Sequence, residues 1–311
     1  MKNLFLVFFI CFTSFVFAQI TADSIYTKAK LKADAKDYTV AAILVEKAIK
    51  MNPKEMKYYF FKADMEMELK NYSDAKKAYL QAIQIFPDNS APYCELGHYF
   101  RTFNETDSSL KYINKAIKMA ESDSIKFVYY SARASTYYFS RQYDKAQKDD
   151  EKILKYNPNN IYALNNLALT YRADNQKIKA IQILKKIISI DSSVVFNYIN
   201  LGLLYTELDS LKEALTYFDK GVQIDPNEAL LYSNRGDCYF KLKQYDKALK
   251  DINLSIKLYP TNSWAYKNRA KVYIELNQFS NACKDLETSE KLSYEYNYGD
   301  EVKKLVKKHC K

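Results

Sequence analysis

Residues 195–228 read VFNYINLGLLYTELDSLKEALTYFDKGVQIDPNE, and the rest of the chain copies this stretch with more or less wear. Leu201, Leu204, Tyr205 and Leu208 recur at helical spacing, and Leu211, Ala214, Leu215 and Phe218 do so again after Asp209 and Ser210. Two short amphipathic helices joined by a tight turn follow from that pattern. Tyr198, Leu201, Gly202 and Tyr205, followed by Ala214, Phe218 and Pro226, give the spacing of a 34-residue helical hairpin that buries its apolar face only by stacking on copies of itself.

Stepping by 34 residues places repeats at Ala22, Met56, Ser90, Phe127, Ile161, Val195, Ala229 and Ser263. One step fails, because Glu121 lies 37 residues before Pro158, so Ser124, Ile125 and Lys126 are an insertion. The third repeat also departs most from the pattern, with Thr106 and Ser109 where an aromatic residue and Ala are usual. Weak coupling between neighbours makes this junction the expected hinge, with residues 22–123 and 127–296 as separate sections.

These residues resemble a tetratricopeptide repeat. The resemblance implies an all-α, right-handed superhelical solenoid of about eight helical hairpins, ended here by a capping helix within 299–311. It also implies a concave groove, lined by the first helix of each hairpin, that receives a peptide or a protein surface. In that register the second, fifth, ninth and twelfth places face the groove. Early repeats put Asp23, Lys30, Lys57, Asp64, His98 and Arg101 there. Later ones become apolar: Val128, Tyr162, Phe196, Leu230 and Trp264 at the second place, joined by Tyr138, Leu169, Ile199, Leu203 and Phe240. A continuous apolar stripe on an open surface marks a partner-binding site, and aromatic anchors dominate such sites. The plainer alternative is packing between neighbouring first helices.

Other patterns are absorbed by the architecture. Tyr59, Tyr93, Tyr130, Tyr198, Tyr232 and Tyr266 share one register, Tyr137, Tyr171, Tyr205, Tyr239 and Tyr273 another, and Tyr38, Tyr72, Tyr143 and Tyr245 a third, so most of the 29 Tyr are packing residues rather than a base-stacking platform. Gly97, Gly202 and Gly236 stand where the two helices of a hairpin cross. Arg133, Arg235 and Arg269 at the seventh place accompany Asp149, Asp251 and Asp285 sixteen residues later, whereas Leu96, Leu167 and Leu201 accompany Tyr112, Ile183 and Tyr217. Charge pairs alternating with apolar contacts inside the hairpins follow from this covariation. Asn166, Asn200, Asn234 and Asn268 form a ladder at the sixth place. The clamp with which chaperone-binding relatives hold a carboxylate needs basic residues and Asn across three first helices, and Ile199, Leu203 and Trp264 stand in its way.

The formal charge is +10, which raises anionic envelope polymers or lipid head groups as an alternative partner. Lysines interleave with Asp and Glu, as in KEALTYFDK, which is the pattern of a solvated face and not of a nucleic-acid site. The densest cluster, KKLVKKHCK, reads as the polar side of the cap, with peripheral membrane contact as its second reading.

Catalysis finds little support. There are 2 His, and no Gly-rich phosphate loop, Cys-x-x-Cys or His-Glu-x-x-His occurs. Asp149 and Asp150 are adjacent and point differently around a helix. Cys94 and His98 with Asp64 fall short of the four ligands of a structural zinc site, so neither a metal nor another cofactor is expected. The chain reads as a non-catalytic scaffold.

MKNLFLVFFICFTSFVFAQ reads as a secretory signal peptide, residues 1–18, cut after Ala18; a retained anchor is the alternative. The expected location is periplasmic or secreted, where disulfides are permitted. Cys94 and Cys238 lie four repeats apart, too far for the roughly 6 Å Cα separation of a bridge. Cys283 and Cys310 fall at the same level of a stacked array, which predicts a disulfide clamping the last helix.

Overall fold

In the computed structural model, residues 21–294, 296 and 299–310 are described. The leader expected at residues 1–18, with Cys11, lies outside the described residues. Seventeen helices follow one another, with no strand among the described residues. They are α1 (Ala22–Asp34), α2 (Tyr38–Met51), α3 (Met56–Glu68), α4 (Tyr72–Ile85), α5 (Ala91–Thr102), α6 (Thr106–Met119), α7 (Asp123–Phe139), α8 (Tyr143–Tyr156), α9 (Ile161–Ala173), α10 (Lys177–Ile190), α11 (Val195–Glu207), α12 (Leu211–Ile224), α13 (Ala229–Lys241), α14 (Tyr245–Leu258), α15 (Ser263–Glu275), α16 (Phe279–Lys291) and α17 (Glu301–His309). The odd-numbered helices through α15 are the first helices of the eight expected hairpins. None of the helices is long and apolar enough to cross a membrane.

The three-residue insertion lies inside a helix. Its residues are taken up in α7, which has 17 residues where α9, α11, α13 and α15 have 13. Three extra residues are close to one helical turn, so the packing faces of α7 return to register. The chain divides into two compact units between Thr136 and Tyr137, inside this same helix.

Every hairpin turn is built the same way. Lys36, Lys70, Asn104, Arg141, Asn175, Asp209, Lys243 and Asn277 adopt left-handed backbone, with φ between 57° and 61°. The next residue then donates back across the turn, as Asp37 N does to Lys32 O at 2.9 Å and Gln244 N to Tyr239 O at 2.8 Å. This six-to-one bond closes the first helix and reverses the chain with little loop.

Packing follows the sequence register. A Cβ added at Gly97 would come within 2.5 Å of Ile113 Cγ1, and one at Gly236 within 2.6 Å of Ile252 Cγ1, so these glycines do mark close crossings inside a hairpin. The fourth-place tyrosines anchor the link between repeats: Tyr59, Tyr93, Tyr198 and Tyr232 hydroxyls donate to the carbonyls of Pro53, Pro87, Ser192 and Pro226. Leu96 packs with Tyr112, and Leu167 and Leu201 pack with Ile183 and Tyr217. Asn160 and Asn262 cap α9 and α15 through side-chain oxygens.

The charged alternative holds at the hairpins of Arg235 and Arg269. Arg235 grips Asp251 through Nε at 2.6 Å and Nη2 at 2.9 Å, and Arg269 grips Asp285 at 2.7 and 2.8 Å. Each guanidinium also reaches the preceding repeat, Arg235 to Asp219 at 2.7 Å and Arg269 to Asn253 at 2.6 Å. Arg133 likewise donates to Asn114 at 2.6 Å. The seventh-place arginine therefore ties consecutive repeats as well as the helices of one hairpin.

Candidate functional site

In the second unit the second place stays open along three consecutive repeats. Tyr162 on α9, Phe196 on α11 and Leu230 on α13 are exposed at 72%, 57% and 37%. The place is the second residue of each first helix. Leu169 on α9 is exposed as well, while Leu203 on α11 and Phe240 on α13 are half-buried behind the row. First helices α11 and α13 touch, as do α13 and α15. Tyr138 is half-buried, with its ring 5.9 Å from that of Tyr143. Val128, in the first unit, is exposed on α7.

Two expected members of the row behave differently. Ile199 is 4% exposed and sits in the core with Ala214, Phe218 and Leu231, so it is a packing residue and not groove surface. The reason is local: Leu231 packs closely on Gly221, and Ile199 belongs to the same buried cluster. Trp264 is half-buried, its ring stacked on Tyr294 with centroids 6.0 Å apart. It belongs to the last cluster of the core, beneath the C-terminal segment.

That segment is fixed as the cysteine positions predicted. Cys283 and Cys310 form a disulfide with Cα atoms 5.6 Å apart, while Cys94 and Cys238 are free and buried. Val302 is fully buried, with Leu305 and Val306 packed on the same cluster.

The polar face of the first unit is self-satisfied at its start. Asp23 accepts from Tyr58 Oη at 2.8 Å and pairs with Lys57 Nζ at 2.9 Å, and both contacts hold its carboxyl below the usual range. Further along, burial pushes the Cys94 thiol up to about 12 and brings His98 down to about 4, helped by the charge of Arg101. Arg101 Nη2 donates to His98 Nδ1 at 3.3 Å. A protonated thiol and an imidazole engaged by a guanidinium are poor ligands. Among the described residues, no three His, Cys, Asp or Glu side chains stand together as a metal site.

Sequence reasoning missed buried ionisable groups, Asp150 and Lys267 among them. Asp150 on α8 is fully buried and neither carboxylate oxygen has a hydrogen-bond partner. Burial, then the charge of Asp149, pushes its carboxyl up to about 8; Asn166 softens that shift without reaching hydrogen-bonding geometry at either oxygen. The signal was available, because the equivalent places hold Val45, Tyr79, Ile113, Leu184, Phe218, Ile252 and Leu286.

With this geometry in hand, the comparisons agree on the architecture. Tetratricopeptide repeat profiles match residues 26–90, 91–123, 151–182, 197–228 and 229–262. The chain belongs to the tetratricopeptide repeat family. No curated protein matches it. Among solved structures it is similar to a tetratricopeptide repeat protein from Parabacteroides merdae, at 20% identity and a TM-score of 0.57, over 92% of this chain and 97% of that one. It is also similar to yeast Tom70, at 17% identity and a TM-score of 0.65, over 94% of this chain and 64% of that one. PilW, a type IV pilus biogenesis factor, aligns at 20% identity and a TM-score of 0.58, over 68% of this chain and 96% of PilW. At these identities the likeness is one of fold.

Proposed function

We propose that this protein is a non-catalytic, exported interaction scaffold whose second unit holds a peptide or protein segment against the row Tyr162, Phe196 and Leu230. The single observation that carries this is the exposure of those three large apolar side chains at the same place of three consecutive repeats. Leaving them in water costs free energy that burial against a partner would recover, at about 25 cal/mol per Å². Family membership supports a binding role over a catalytic one, since such arrays act by presenting a surface. Export is supported by the apolar leader MKNLFLVFFICFTSFVFA and by a disulfide that reducing compartments disfavour.

The test is a pull-down from an envelope extract with the mature protein beside a Tyr162→Ala/Phe196→Ala/Leu230→Ala variant, washed at low and high salt. All three sites are exposed, so the variant should keep the parent's melting temperature. The expected result is a partner held at high salt by the parent alone. Partners kept equally by both and shed by salt would instead support the binding of anionic polymers or lipids.

A further inference from the structure

In the last repeat the second place, which stands open in the three repeats before it, is already covered by the chain itself. Trp264, Lys267 and Lys271 hold the second, fifth and ninth places of α15, the places filled by Phe196, Ile199 and Leu203 on α11. Tyr294 lies against Trp264, and Glu301, at the start of α17, accepts from Lys267 Nζ at 3.2 Å and lies 3.8 Å from Lys271 Nζ. Tyr294 Oη donates to the same carboxylate at 3.1 Å. Lys267 is 2% exposed, its ammonium 3.7 Å from the centre of the Trp264 ring and 5.6 Å from that of Tyr294. One aromatic ring and one carboxylate thus cover an aromatic ring and two lysines.

Asn268, next in the sixth-place ladder, is buried and both polar atoms of its amide lack a partner. The cover is tethered, because α17 is 9 residues long and its far end is held by Cys310 to Cys283 on α16. A helix that short has little stability of its own.

Resting on the groove reading above, we propose that the C-terminal segment bearing Tyr294 and Glu301 is an internal occupant of the groove, latched by the Cys283–Cys310 disulfide, and that on reduction it yields to a partner segment presenting an aromatic ring and a carboxylate. Reduction needs a dithiol. The dithiol supplies two electrons and two protons, the Cys283–Cys310 bond breaks to two thiols, and the reductant leaves as its own disulfide.

Trp264 is the only Trp, so its fluorescence reports the cover directly. The mature protein is measured oxidised, reduced with dithiothreitol, and as Cys310→Ser. The probe is a labelled peptide of residues 292–311 carrying Cys310→Ser, read by anisotropy. Reduction and Cys310→Ser should shift Trp264 emission to longer wavelength, speed its quenching by acrylamide, and tighten peptide binding about tenfold, a coupling of ordinary size. Glu301→Gln in the Cys310→Ser background should strengthen the emission change. Unchanged emission and quenching would overturn the latch, and exposure without peptide binding would overturn the exchange. Loss of helix throughout the array on reduction, read by far-UV circular dichroism, would also overturn it, since the cap would then be a structural clamp. None of these readouts uses Tyr162 or Phe196, so failure here leaves the test of the open row intact.

Discussion

At Arg235 one side chain makes three bonds to two helices, and its role can be weighed by removing a partner. Its side chain is 16% exposed and that of Asp251 8%, whereas Asp219 is 51% exposed. The Asp219 contact is therefore screened and worth little, and the Asp251 pair carries the energy. Asp251→Asn keeps the shape and removes the charge, leaving a poorly solvated guanidinium. The expected cost is about 2–3 kcal/mol, read as a melting temperature lowered by several degrees. An unchanged melting temperature would mean that desolvation cancels the attraction. Asp150 makes the opposite case. Its folded-state carboxyl titrates at about 8 against 3.8 in an unfolded chain, so the folded state holds the proton more tightly. This group favours folding most below pH 4, and its contribution falls as pH rises from about 4 to about 8. Asp149 and Glu151, its neighbours on α8, add to the penalty. Asp150→Leu should stabilise the protein at pH 8 by about 2 kcal/mol, and the gain should shrink at pH 5. Thermal melts of parent and variant at the two pH values check this. A gain equal at both would show that the carboxyl stays ionised or stays wet.

Element boundaries were the most legible feature because repetition supplies its own replicates. Six of the eight first helices begin where 34-residue stepping put them, from Ala22 to Ser263. The third begins one residue later, at Ala91, and the fourth earlier, at Asp123, because the insertion joined the helix. The turns were harder to read. Left-handed backbone is usually announced by Gly, yet here Lys36, Lys70, Arg141 and Lys243 adopt it, and the six-to-one bond offsets a strain of about 1 kcal/mol. The site divided along the same line. Exposure of Tyr162, Phe196 and Leu230 followed from register alone, since it depends only on the helix that carries them. The fates of Ile199 and Trp264 depended on neighbours that register does not describe: the Phe218 and Leu231 cluster for one, the returning C-terminal segment for the other.

For the whole molecule the open question is whether a charge of +10 is itself a binding device. Much of the excess is tied to packing. Lys145, Lys179 and Lys247 recur at one place and lie 5.3–5.5 Å from the centres of Tyr137, Tyr171 and Tyr239, so their stems cover rings of the same hairpins. The exposed lysines of α17 form the densest group: Lys303, Lys304, Lys307 and Lys308. Lys304 is paired with Asp300 at 3.0 Å. At about 1 kcal/mol per lysine near an anionic surface, four of them give about 4 kcal/mol, which is a dissociation constant near the millimolar range. Such an attraction fades within a Debye length of about 8 Å at physiological ionic strength. Sedimentation with phosphatidylglycerol vesicles should therefore retain some parent protein at low salt and almost none at physiological salt. A Lys303→Gln/Lys304→Gln/Lys307→Gln/Lys308→Gln variant should lose the low-salt fraction and keep its partner in the pull-down. Retention of the parent alone at physiological salt would move the binding surface from the apolar row of the second unit to the basic face of its last helix.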